Sequence, residues 1–64
     1  MLEFEINEIR YVEAWCMQYI GPRMYYIHNS IGGEGWRIKR QGNKSLVAIE
    51  DDNHALMAML KFGK

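Results

Sequence analysis

The sequence predicts an α+β fold of the order α-β-β-β-α, a small three-stranded antiparallel meander with helices packed on one face. Three observations carry this. Ile9, Val12, Cys16, Tyr19 and Ile20 recur at the spacing of one helix face, with Tyr11 and Trp15 beside them. Trp36-Arg37-Ile38-Lys39-Arg40 alternates apolar and charged residues, the period of a half-buried strand. Turn signals stand at Gly21-Pro22, Gly32-Gly33-Glu34-Gly35, Gly42-Asn43 and Gly63, and they cut the chain into short elements.

Residues 2–6 alternate as a short strand, Leu2, Phe4 and Ile6 against Glu3 and Glu5. The pattern changes at Asn7, and a helix is expected over about 8–20. Asn7 is its expected N-cap, with Glu8 in the positive first turn. Gly21 is its expected left-handed C′ residue, and Pro22 stops it. The rival reading makes the first segment one long bulged strand, because Ile, Tyr, Val and Trp are frequent there.

Residues 23–31, with Met24-Tyr25-Tyr26-Ile27-His28, read as the first strand of the meander. The glycines of 32–35 read as a loose hairpin turn, residues 36–40 as the second strand, Gly42-Asn43 as a tight turn and residues 45–50 as the third strand. Asp51 or Asp52 then caps a helix that runs through Ala55, Leu56, Met59 and Leu60 and ends at Gly63. In the second strand, Trp36, Ile38 and Arg40 share the face expected toward the helices, while Arg37, Lys39 and Gln41 share the face expected toward water. Arg40 sits near the sheet end, where its stem can lie on the core and its head reach solvent.

With 64 residues the chain is expected to form one domain spanning 1–64, since two would each be too small to bury a core. Surface scaling gives about 4,300 Å² folded against about 11,000 Å² unfolded. Apolar burial then contributes about 100 kcal/mol, and chain ordering costs about 96 kcal/mol. A chain so balanced is marginal alone or is stabilised by a partner. Cys16 is the only cysteine, so no disulfide forms within the chain, and a lone thiol suits a reducing compartment. The expected location is cytoplasmic. No apolar run approaches the ~20 residues of a membrane span, and the acidic start Met1-Leu2-Glu3-Phe4-Glu5 does not read as a signal peptide.

The residues exclude most chemistry. One cysteine and two histidines, Cys16, His28 and His54, have no recognised zinc spacing, so no metal is expected. Glu50-Asp51-Asp52 lacks the calcium-loop pattern and reads as helix capping. Ser30 and Ser45 stand outside any Gly-x-Ser-x-Gly elbow, and a cysteine among Ile9, Val12 and Ile20 reads as an inert core residue. The glycines at 32–35 match no phosphate-loop pattern. The expectation is therefore a protein that is not an enzyme, with no cofactor, no small-molecule substrate and no membrane partner.

Charge is the most informative feature. Net charge is zero, but residues 1–20 carry a balance of −3, residues 21–48 carry +4 and residues 49–64 carry −1. The basic part is the hairpin 36–44, with Arg37, Lys39, Arg40 and Lys44 beside Trp36, and with Tyr25 on the neighbouring strand. Such a hairpin can follow a phosphate backbone, although a pI near 6.7 is far below that of dedicated nucleic-acid domains. Gly35-Trp36, the basic second strand and an acid-capped helix carrying Ala55 make residues 24–62 resemble, in topology, the small arm-type DNA-binding domains of some phage integrases. That resemblance implies DNA binding through the same hairpin.

Five methionines, four tyrosines and two tryptophans in 64 residues favour a partner-binding surface. The primary expectation is a small regulatory module that docks on a larger protein or forms a homodimer, a profile of size and charge shared by inhibitors that phages and mobile elements encode. Its expected contacts are Tyr25, Trp36, Arg37, Lys39 and Arg40, with Met17 and Met57 as apolar anchors. The alternative is a nucleic-acid-binding module using Arg37, Lys39, Arg40 and Lys44.

Overall fold

The computed structural model describes residues 1–63. The chain runs β1 (Leu2–Ile6), α1 (Ile9–Tyr19), β2 (Arg23–Ile27), β3 (Ser30–Gly33), β4 (Trp36–Gln41), β5 (Lys44–Ile49) and α2 (Asp52–Phe62). The class is α+β, but among the described residues the sheet has five strands, not three, in the antiparallel order β1-β5-β4-β3-β2.

Two local facts account for the extra strands. The alternating start does form a strand, and it pairs with β5 in the register Leu2↔Ile49, Phe4↔Val47 and Ile6↔Ser45. The stretch 23–31 is not one strand but a hairpin. His28-Asn29 forms a two-residue turn between Ile27 and Ser30, and Asn29 takes φ 63°, a left-handed conformation that asparagine tolerates better than most residues. Consequently Gly32 and Gly33 lie within β3, and the next turn is only Glu34-Gly35, with Gly35 at φ 83°. The third hairpin turns at Gly42-Asn43 with Gly42 at φ 63°, as the first central position of a type II′ turn requires.

Both helices run over one sheet face. α1 starts near the Ile6 end of the sheet and finishes at Gly21, whose carbonyl accepts a 2.9 Å hydrogen bond from Trp36 Nε1. α2 starts beside the chain start, where the Met1 amino group lies 3.5 Å from Asp52, and returns to a bridge between Gly63 and Ile6. The two helices are therefore antiparallel neighbours. Ile6, Val12, Cys16, Trp36, Ile38, Val47, Ile49, Ala55 and Ala58 form the core between helices and sheet. The folded surface of 4501 Å² is close to the scaling expectation.

The ends of α1 depart from expectation. Glu8, not Asn7, is the N-cap, and its side chain makes no capping hydrogen bond. Gly21 does not take the left-handed conformation. Its missing Cβ instead admits the Glu34 backbone, which would lie 2.7 Å from any Cβ there, and Glu34 N–H donates to the Pro22 carbonyl at 3.0 Å. For α2, Asp51 is the cap, and its carboxylate accepts from His54 N–H at 2.9 Å. Among the described residues no helix is long and apolar enough to cross a membrane.

Candidate functional site

The sheet has a covered face and an open one, and strand register sorts the expected contact residues between them. Trp36, Ile38 and Arg40 share the covered face; Arg37, Lys39 and Gln41 share the open face. Crossing the strands, Glu3, Ala48, Arg37, Gly32 and Tyr25 form one row of the open face, and Glu5, Leu46, Lys39, Ser30 and Ile27 the next. Lys44 falls on the same face, at the end of β5.

Tyr25 lies across Gly32, where any Cβ would overlap its ring. With Met1, Arg37 and Glu50 it borders a shallow hollow of about 260 Å³. Lys39 is 3.5 Å from a Glu3 carboxylate oxygen, a half-exposed pair between the centre and the β1 edge of the sheet; such pairs contribute little to stability.

Trp36 and Arg40, and with them Met17 and Met57 on the helices, do not join this surface. Trp36 is 3% exposed, with its indole spread over Gly33 and its N–H bound to Gly21. It is a core residue, and the strand alternation that placed it toward the helices is the reason. Arg40 extends from the covered side of the sheet near Tyr26 and Ile31, so the basic hairpin does not present a single cationic face. Met17 and Met57 are both exposed, on α1 and α2 respectively.

Sequence periodicity misassigned the inner face of α2. Ala55 and Ala58 are its buried residues, with Phe62 half-buried. Leu56 and Leu60, which recur at helical spacing along α2 and so read as its apolar stripe, are exposed, and Leu60 is 90% exposed. A helix wheel allows both faces, because Ala55, Ala58 and Phe62 also recur at spacings of three and four. The small pair lets the helix lie close over β1 and β5, with Phe4 and Phe62 packed against the same core and Phe62 meeting Trp15. Leaving two leucines out forgoes ~1.5–3 kcal/mol each, a large part of the ~3–10 kcal/mol total stability expected at this length.

On α1 the face toward α2 carries Tyr11, Trp15 and Tyr19 at intervals of four. Trp15 is the hinge of this cluster: it meets Tyr19 at 5.3 Å, Phe62 at 6.2 Å and the His54 ring at 6.5 Å between ring centres. His54 is thus half-buried against Trp15. A groove of about 380 Å³ runs between the helices, lined by Tyr11, Ala14, Trp15, Gln18, Tyr19, Lys61 and Phe62. The signal available in the sequence was the Tyr11-Trp15-Tyr19 stripe itself, which is wider than the buried face of one helix needs.

Cys16 is buried between α1 and the sheet, and burial, aided by the Glu13 carboxylate, pushes its thiol up to about 12. Among the described residues no group of three or more His, Cys, Asp or Glu side chains is arranged to hold a metal ion. Compared with family models, curated proteins and solved structures, the chain matches none.

Proposed function

We propose that this chain is a small non-catalytic protein-binding module that acts by docking on a larger protein or by pairing with itself. One observation carries the reading: α2 turns alanines to the sheet and Leu56, Met57 and Leu60 to solvent, and Tyr11 and Tyr19 on the other helix of the same layer are exposed as well. Large apolar side chains gathered on one face, rather than scattered singly, mark an interaction surface. Methionine and tyrosine are residues such surfaces use as anchors. Met17, and on the other side of the molecule Tyr25, Arg37 and Lys39, supply additional exposed contacts.

A second reading, nucleic-acid binding, is favoured by the position of Tyr25, Arg37, Lys39 and Lys44 on one open sheet face. It is weakened by Glu3 and Glu5 on that face, by the Glu3–Lys39 pair and by Arg40 facing away. Size-exclusion chromatography with light scattering, with and without a mixed DNA oligonucleotide at low and high salt, separates the two. The expected result is no shift with DNA at low salt. A shift that fades by about 0.9 log unit of affinity per phosphate contact for each tenfold rise in salt would reverse the order of the readings.

A further inference from the structure

We propose that the partner of the helix-pair face is a second copy of this chain, related by a two-fold axis that packs α1 and α2 of one copy on α1 and α2 of the other. The proposal rests on the protein-binding reading above and names its occupant.

The exposed apolar area of the helix layer is of the size that a dimer needs. Leu60 is 90% exposed, and Tyr11, Tyr19, Leu56 and Met57 are between 52% and 66% exposed. At about 200 Å² for a large side chain, these five display on the order of 600 Å², the upper end of the largest patch on an ordinary monomer. Two such faces brought together cover about 1,200 Å², which reaches the range of stable protein interfaces.

The layer is also self-complementary. A two-fold interface needs one surface that offers both a projection and its receptacle. Leu60 is the most exposed of the large apolar residues, and it immediately precedes Lys61 and Phe62, which line the groove between the helices. A two-fold axis lying in the plane between the two helix layers brings projection and groove together twice. Leu60 of each copy is then set against the groove of the other. Among the described residues lining the groove, Lys61 alone is charged, and its position beside Phe62, 5.9 Å from the ring centre, places it at the groove's end.

The sheet contrasts with the helix layer. The open sheet face interleaves Glu3 and Glu5 with Arg37 and Lys39, a solvated pattern. The β2 edge also carries exposed Met24, Tyr26 and Ile27, but it is broken by a bulge between Arg23 and Tyr25, a device that blunts strand-to-strand pairing.

Sedimentation analysis of the full chain from low micromolar to near-millimolar concentration tests this. The expected mass is twice the 7.6 kDa of the chain. Leu60→Glu should weaken the dimer by about 30-fold or more, the cost of losing an anchor side chain, with an unchanged far-ultraviolet circular dichroism spectrum. Met57→Lys is the second variant, and should act in the same direction. Tyr26→Glu, on β2, should leave the dimer intact. A single chain at every concentration overturns the proposal. A dimer broken by Tyr26→Glu and indifferent to Leu60→Glu also overturns it, while leaving the protein-binding reading in place at the sheet edge. The broader reading fails separately, when crosslinking of the monomeric wild type in lysate gives the same pattern as Leu60→Glu.

Discussion

The two helices lie side by side on the same sheet face, yet they are held in opposite ways. α1 has no side-chain cap, and no acidic residue in its first turn or basic one in its last. It is fixed by what it buries, Val12 and Cys16 in full and Ile9, Trp15 and Ile20 in part. α2 has an Asp51 cap, Asp52 in its first turn and Lys61 in its last, each placed to complement the helix dipole. It buries only two alanines in full. By what it buries, α1 is part of the core of the single chain. α2 is stable enough locally to stand on a thin contact and display its larger side chains elsewhere.

The largest expected effect removes what α1 rests on. Ile38→Ala, in the strand α1 touches, should cost about 2–5 kcal/mol in a urea titration, because the side chain is fully enclosed. If α2 is held by a close approach, enlarging its contact should push it away: Ala58→Leu should destabilise by about 1–3 kcal/mol, even though it adds apolar surface. A stabilising result there would mean that the helix has room to shift and that the alanines are not a spacing device.

The caps sharpen the same contrast. Asp51→Ala should cost about 1 kcal/mol, whereas Glu8→Ala at the start of α1 removes no capping hydrogen bond and should change stability by less than about 0.5 kcal/mol. Thermal melts of the two variants side by side decide it.

The smallest effect is confined to alkaline solution. The folded state holds the Cys16 proton more tightly than the unfolded chain, with a pKa of about 12 against an ordinary 9.0. The resulting stabilisation is complete below about pH 9 and is lost as pH rises toward 12. Cys16→Ala should flatten the fall in stability across that window relative to the native sequence. At neutral pH the thiol should react with a disulfide reagent only as fast as the chain opens.

Which features were legible in the sequence follows from their range. The alternation of β4, the Gly42-Asn43 turn and the acid-capped start of α2 are local, and each is found where the residues indicate. The β2–β3 hairpin was missed because its turn holds neither glycine nor proline; only Asn29 marks it. β1 was visible as an alternating run, but its pairing with β5 joins distant parts of the chain, and no local pattern reports that. For the candidate surface, Met17, Met57, Tyr25 and Arg37, which are exposed, and Lys39, which is half-exposed, were recognisable as contacts. Leu56 and Leu60 were not, since a wheel cannot say whether a helix hides its large or its small apolar stripe.

The pairing of the first strand with the last has a kinetic consequence. β2 to β5 join by two-residue turns, and such hairpins form in microseconds. β1 can complete the sheet only by closing a loop of some tenfold greater length, at a further entropic cost of about 2 kcal/mol. During synthesis it must also wait until the residues around Ile49 have emerged, at about 5–20 residues per second. For the seconds in between, β1 is a strand without its partner, and its open backbone is the most vulnerable part of the nascent molecule.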